Sequence, residues 1–404
     1  MQMKTVQYRE LYCTPIRYWI GLGVLALLVA IALGSAYYME HNGHWVTGMS
    51  NQVVWGLPHV FAIFLIVAAS GALNVASIGS VFGGPLYKPL GRYSGLLAVA
   101  LLIGGLLVLV LDLGRPDRLI VAMTTYNFKS IFAWNIFLYT GFMVIVIAYL
   151  WTMMERKANK FSRPVGFLAF FWRLALTTGT GSIFGFLVAR EAYDAAIMAP
   201  LFIIMSFSYG LAFFILTLMS AFIWGDREIG DLRMAKLKNL LGVFVGAVFF
   251  FTLVYHVTNL YATQHHGYEQ FLLLDGGIYT LMFWGGQMLI GTLIPLLLIY
   301  APMFSKSRYG VAVASFLVLL GGFFQLYVIV IGGQAYPMSL FPGMEVVESG
   351  FFDGVVAQYV PSIWEFLLGI GGIAVALALV AVGARMLKVF PESLEDPEEL
   401  VAKA

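Results

Sequence analysis

Ten apolar runs, most of them about 20 residues long, leave this chain almost no choice of fold. A helix of that length crosses roughly 30 Å of hydrocarbon and bonds its backbone N–H and C=O groups internally, which a lipid-exposed loop cannot do. The runs read as helices over approximately 17–38, 53–82, 93–112, 131–154, 165–189, 198–224, 239–260, 277–302, 309–333 and 362–388. The expected fold is all-α, a polytopic membrane helical bundle of about ten transmembrane helices. Pro58 and Pro200 fall in first turns, where a missing N–H does little harm; Pro295 lies inside the eighth helix and is expected to kink it.

Composition supports the bilayer as the solvent. The 404 residues are 61% hydrophobic with a mean hydropathy of +0.88, more apolar than a soluble protein of this length. A net charge of +2 points to no nucleic acid. The lone Cys13 excludes a disulfide framework, a self-contained iron–sulfur cluster and a Cys-rich zinc site, so any such cluster belongs to a partner. The first run follows Lys4, Arg9 and Arg17 but exceeds the apolar core of a signal peptide, and is read as a retained span.

Orientation follows from the cations. Of 23 Lys and Arg, 18 fall on the side that holds both termini, and only Arg115, Arg118, Lys129 and Arg190 fall on the other; Arg173 lies within the fifth span. The bias makes both termini cytoplasmic, in an inner (cytoplasmic) membrane. The outer positives then need a reason. Arg115 and Arg118 have Asp112 and Asp117 close in sequence, and Arg190 has Glu191 and Asp194, so paired, semi-buried networks are expected there. The segment Asp112–Arg118 closes an apolar run without a charge from Tyr93 to Leu111. Read blandly it is a helix stop, with Gly114 and Pro116 ending the span. All six histidines also map to the outer half: His41, His44, His265 and His266 in loops, His59 and His256 about one turn inside helix ends. Titratable chemistry near neutral pH is therefore concentrated on the outer face.

Several motifs together resemble the NrfD/PsrC family, the membrane subunit of polysulfide-reductase-type complexes. Trp55-Gly56-Leu57-Pro58-His59 opens the second helix, and Asp112-Leu113-Gly114-Arg115-Pro116 closes the third. Asn127, Ser130 and Trp134 open the fourth; Pro200-Leu201-Phe202, followed by Ser206, opens the sixth. The resemblance runs from about Trp55 to Ser220. It implies a quinone-reactive membrane anchor without a redox centre of its own. Such a subunit exchanges electrons between the quinone pool (menaquinone or ubiquinone) and a ferredoxin-like iron–sulfur partner. That partner leads onward to a molybdopterin or multihaem cytochrome subunit. The resemblance also implies two four-helix bundles, spans two to five (53–189) with the quinone site at their outer end and spans six to nine (198–333). Segment 334–361 is then an outer loop and 389–404 a cytoplasmic tail. Where some relatives carry a Tyr or His in the last helix of the first bundle, this chain offers Thr177, Thr178, Thr180 and Ser182. A histidine in the second helix of some relatives is replaced by Ser70 or its neighbours.

Quinol oxidation needs a hydrogen-bond partner on each oxygen and a proton exit. The expected quinone contacts are Trp55, His59, Asn135 and Thr178. The expected proton-handling group is His59, Asp112, Arg115 and Asp117, with Arg115 keeping Asp112 ionised and Glu191 and Asp194 further along the exit. No haem or metal is expected in this polypeptide. Glu365 reads as an interfacial residue, and Arg173 as a snorkelling cation or part of a proton path from the cytoplasm. The cation-free segment with Glu345, Glu348 and Asp353 reads as a docking surface for the iron–sulfur partner, and the acidic tail Glu392–Glu399 as unstructured. Two alternatives remain at this point. A membrane cytochrome b would pair His59 with His256 across a haem. A secondary transporter would favour broken helices and mid-membrane charges, whereas here the charges crowd the outer end.

Overall fold

The computed structural model describes residues 6–11, 16–304, 307–338 and 354–396. The acidic outer residues Glu345, Glu348 and Asp353, expected to dock a partner, lie outside the described residues, as do Cys13 and Glu399. Among the described residues ten helices are long and apolar enough to cross a membrane. They are α1 (Ile16–Asn42), α2 (Leu57–Ser80), α3 (Lys88–Leu111), α4 (Ile131–Met154) and α5 (Asn159–Gly185). The rest are α6 (Met198–Trp224), α7 (Asp231–Tyr261), α8 (Ile278–Tyr300), α9 (Arg308–Ala335) and α10 (Ile363–Met386). The protein is a multi-pass membrane protein. The largest departure from the sequence reading is α7, which starts at Asp231 and not near 239. Its first turns carry Asp231, Arg233, Lys236 and Lys238, so a count of apolar residues misses a helix that continues past the hydrocarbon.

Packing runs outward from α2. Its most apolar stretch is 89% buried, against 17% for α1, which packs on α10. α2 lies against α3, α6 and α10; α4 packs on α3 and α5, and α6 on α5, α7 and α9. Lipid is as apolar as a leucine side chain, so close approach of small residues holds such helices together. Gly71 of α2 and Gly210 of α6 show this. A Cβ on Gly71 would collide with the Ser206 carbonyl, and one on Gly210 with the Gly71–Ala72 backbone. α2 breaks at Leu73, and Ser94 of α3 repairs the gap: its Oγ donates to the Ala72 carbonyl (2.6 Å) and accepts from the Ala76 N–H (3.1 Å). A helix break inside a membrane needs such a neighbour.

α8 and α9 contain wide-turned π-helical stretches, Met282–Leu293 and Val328–Gly332. Pro295 opens the α-helical segment that follows the first of these, so the irregularity expected at this proline lies in the turns before it. At the end of the bundle where α1 begins and α10 finishes, β1 (Tyr8–Arg9) pairs antiparallel with β2 (Phe390–Pro391). The Asp396 carboxylate accepts from the N–H groups of Leu232 and Arg233 at the start of α7, and Arg233 donates to the Leu394 carbonyl. Residues 392–396 of the tail are thus held in place, against the expectation of an unstructured segment, because the Asp396 carboxylate caps a helix N-terminus.

Candidate functional site at the outer ends of α2 and α3

The segment leading into α2 has no regular structure, so its backbone groups must find partners elsewhere. Gln334, at the outer end of α9, supplies them. Its Oε1 accepts from the N–H groups of Val54 (2.9 Å) and Trp55 (3.0 Å), and its Nε2 donates to the Trp55 carbonyl (3.0 Å). Arg190 clamps the same segment, donating to the carbonyls of Gln334 (2.9 Å) and Gln52 (2.9 Å). It was expected to pair with Glu191 and Asp194; backbone carbonyls that need a strong donor take it instead. The Leu57 N–H donates to Tyr359 Oη (2.6 Å), which donates to Glu365 Oε1 (2.7 Å). Glu365 is fully buried and completes a capping box with Ser362, so it is a structural anchor and not an interfacial residue. The parts of Gln334 and Tyr359 were not legible in the sequence, because a lone Gln or Tyr carries no pattern.

So held, α2 presents His59 in its first turn. The imidazole Nδ1 lies 2.8 Å from Asp112 Oδ2, with the carboxylate completely buried and the imidazole 18% exposed. The approach is close, but it does not form an aligned hydrogen bond, and His59 Nδ1 and both Asp112 oxygens lack any other partner. Asp112 caps the C-terminus of α3, where the helix carbonyls also point, so a negative charge there needs a donor. A buried carboxylate with no aligned donor is costly unless something else binds it.

Arg115 does not hold Asp112. It makes a two-pronged pair with Asp117, Nε to Oδ1 and Nη2 to Oδ2, both 3.0 Å, and both side chains are exposed. The hydrogen bond from Arg115 keeps the Asp117 carboxyl below its ordinary range. The expected Asp112–Arg115 unit is overturned because Gly114, at φ +68°, turns the backbone away between them. That turn lies against the His44 ring, and Glu40 acts electrostatically on Arg115. His44 Nε2 and Glu40 Oε1 are both buried without a partner. The sequence reading placed His44 at this face but overlooked Glu40.

The remaining expected contacts divide. Trp55 packs its ring against Phe132 of α4, Phe184 of α5 and Tyr193, tying the start of α2 to the outer ends of both helices. Asn135 is buried, donates to the carbonyls of Ile131 and Gly179, and accepts from Thr180 Oγ1 (3.4 Å). Thr180 also meets the Tyr139 hydroxyl (3.3 Å). Thr178 is exposed on the opposite face of α5, since a two-residue step on a helix turns a side chain away; Thr180 takes the place expected for it.

Elsewhere, His256 on α7 meets Glu269, with Nδ1 2.8 Å from Oε2. The haem pairing of His59 with His256 therefore gains no support, each imidazole facing a carboxylate. Among the described residues no three His, Cys, Asp or Glu side chains gather as metal ligands. Arg173 does not snorkel: it is 2% exposed, donates to the Ser70 carbonyl (3.4 Å), and lies over the rings of Phe170 and Phe207.

The protein is similar along most of its length to known membrane subunits. Over 391 residues the protein is 28% identical to the Hdr-like menaquinol oxidoreductase integral membrane subunit of Archaeoglobus fulgidus, covering 96% of its own length and 97% of the relative's. It is 22% identical to the menaquinone reductase integral membrane subunit of Nitratidesulfovibrio vulgaris, covering 95% and 94%. It is 26% identical to the C polypeptide of polysulfide reductase from Wolinella succinogenes, covering 71% and 96%. The family profile described as polysulphide reductase, NrfD matches residues 45–338, a span that contains His59, Asp112, Arg190 and Gln334, and the protein belongs to that family.

Proposed function

We propose that this protein is the membrane subunit of a respiratory oxidoreductase complex and exchanges electrons and protons with menaquinol at the outer ends of α2 and α3. The single observation that carries the reading is the His59–Asp112 pair, a buried carboxylate left without an aligned donor beside a partly open imidazole. Two relatives bear menaquinol or menaquinone in their names, which favours that quinone over ubiquinone. Spans α2–α5 form the unit that carries the site and α6–α9 a second unit. Both termini lie in the cytoplasm, and a ferredoxin-like iron–sulfur subunit docks outside. A molybdopterin or multihaem cytochrome subunit lies beyond it.

When bound, the quinol supplies two electrons and two protons. The residues of this protein handle the protons. With Nδ1 turned toward Asp112, the neutral imidazole keeps its proton there and presents Nε2 as acceptor. His59 takes a hydroxyl proton at Nε2, and the Asp112 carboxylate stabilises the cation that results. Hydrogen bonds of this kind are often poorly aligned before the ligand arrives and tighten around it. The ring's original Nδ1 proton then crosses to Asp112 Oδ2, leaving the imidazole neutral with the quinol proton on Nε2, and Asp112 releases it by way of the outer surface, where Glu40, His44 and Asp117 lie. Trp55 and Asn135 shape the wall on the α4–α5 side.

The test is His59→Ala in the purified complex. Quinol turnover should fall by about a hundredfold, the range of a lost general base, with assembly unchanged. Turnover at the wild-type rate would remove His59 from the site and the reading with it.

A further inference from the structure

The connection between α3 and α4 carries an apolar surface that the quinone reading does not use. From Leu113 to Ser130 every residue is at least partly open among the described residues. Within it Leu119–Thr124 forms a short helix, Leu-Ile-Val-Ala-Met-Thr, apolar on nearly every side. Ile120 is 72% exposed, Val121 58% and, further on, Phe128 61%. A helix that is apolar all round belongs in apolar surroundings. Arg118 stands just before this stretch and Lys129 just after its last apolar residue, both exposed.

The neighbouring face of α4 indicates what those surroundings are. The most apolar stretch of α4 is only 22% buried, so most of it faces lipid. Trp134 and Trp151, both exposed, are separated by a rise of roughly 26 Å, close to the hydrocarbon thickness that interfacial aromatic belts bracket. Phe137 lies about 4–5 Å further in than Trp134. The Tyr126 ring packs on Phe137 with centroids 4.4 Å apart, and the Phe128 ring lies 6.0 Å from Trp134 and 6.3 Å from Phe137. The last part of the connection therefore runs along α4 at the depth of the belt, where an aqueous loop would not go. Its polar groups are spent internally, as that depth demands. The Trp134 indole N–H donates to the Phe128 carbonyl (2.9 Å), the Thr124 hydroxyl to the Ile120 carbonyl (2.8 Å), and the Lys129 N–H to Asn127 Oδ1 (3.1 Å).

We propose that the α3–α4 connection is a lipid-binding element, sunk at the boundary between headgroups and acyl chains of the leaflet at this end of the bundle. Ile120, Val121, Met123 and Phe128 enter the acyl boundary, and Arg118 and Lys129 reach lipid phosphates from either end of the stretch. Lipid covers the surface, and not a protein partner, because Tyr126 and Phe128 join it to the lipid-facing wall of α4. A protein docking from the water would meet the other edge, where the Arg115–Asp117 pair is open to solvent. The element starts directly after Asp112, so its anchoring sets the depth of the Gly114 turn and of the carboxylate before it. A menaquinol headgroup then reaches His59 without leaving the bilayer. That consequence rests on the quinone reading, whereas the lipid contact does not.

The test uses the intact complex in vesicles of phosphatidylcholine and phosphatidylglycerol, carrying Cys13→Ala and one introduced cysteine for a nitroxide label. Labels at Ile120→Cys and Phe128→Cys are compared with Val144→Cys, exposed in the middle of α4, and with Arg156→Cys, exposed in the α4–α5 connection. Oxygen concentrates in hydrocarbon and a nickel chelate in water, so the ratio of their relaxation effects on the label reads its depth. At positions 120 and 128 the ratio should exceed that of Arg156→Cys and lie nearer to that of Val144→Cys. A ratio equal to that of Arg156→Cys would make the segment an aqueous loop. Shielding from both reagents would mean that protein covers it, and either result overturns the proposal. Should one of the two variants fail to assemble, Val121→Cys takes its place. Absence of quinol oxidation by the wild type would break the quinone reading and leave this one standing.

Discussion

The two outer ends of this bundle hold the same pair of side chains, a histidine and a carboxylate 2.8 Å apart, in opposite states of completion. Glu269 is saturated: both oxygens meet His256, one also accepts from Asn259, and Tyr255 and Tyr268 close over it. Asp112 has its one imidazole neighbour, badly aligned, and two oxygens without a donor. The difference lies in what surrounds each acid. Glu269 projects from a short helix and is met by His256 and Asn259, whereas Asp112 ends α3 and has only the His59 imidazole near its oxygens. A saturated pair contributes to the fold, and an unsaturated one is available to a ligand.

The first way to break this contrast is Asp112→Asn. The substitution keeps shape and removes the charge that supports a protonated His59, so quinol turnover should fall by about tenfold or more. Because no aligned hydrogen bond is lost, the thermal midpoint of the complex should stay where it was. A large drop in stability with normal turnover would mean that Asp112 is the structural acid, and the comparison would be inverted.

Glu269→Ala should behave the other way. It strands the His256 imidazole and the Asn259 amide in a buried site, which costs about 1–3 kcal/mol. The effect should appear as a lowered unfolding midpoint in detergent, with electron transfer per folded complex little changed. A midpoint equal to that of wild type would show that the saturated pair does not hold this end together.

A third, smaller effect tests how the unsaturated pair is positioned. Gln334→Ala removes three hydrogen bonds to the segment before α2, and the first turn that carries His59 loses its anchor. Turnover should fall by a few fold, roughly the effect of a small misplacement, and Gln334→Glu should recover part of it by keeping the acceptor. Equal loss in both would point to simple destabilisation of α9.

How much of this was readable in advance follows the same division. The ten helices were legible because hydrocarbon imposes length and apolarity on each span, and α7 was shortened only where its first turns leave the membrane. His59 and Asp112 were legible as a charge and an imidazole in places that discourage both. Their mutual pairing was not, because Arg115 is nearer in sequence and only the positive φ of Gly114 sends it elsewhere. Gln334, Tyr359 and Glu365 were invisible as parts of the site, since they come from segments far along the sequence and act on backbone atoms. Thr178 and Thr180 differ by two residues, and only the rotation of α5 against α4 decides between them.

The smallest effect belongs to the exposed pair that was expected to be essential. Arg115 lowers the Asp117 carboxyl by hydrogen bonding, so whatever that pair adds to the fold is present above the ordinary carboxylate range. It is lost as the pH falls through the depressed value, well below neutral. Both side chains are open to water and salt, where such pairs contribute little. Asp117→Asn should therefore leave turnover between pH 6 and 8 within about twofold of wild type, the range expected when no transition-state contact is lost. Arg115→Ala should behave alike, since the carboxylate it leaves is solvated. A steep loss in Arg115→Ala alone would mean that its charge reaches Asp112 across the Gly114 turn, and that the unsaturated pair has a third member after all.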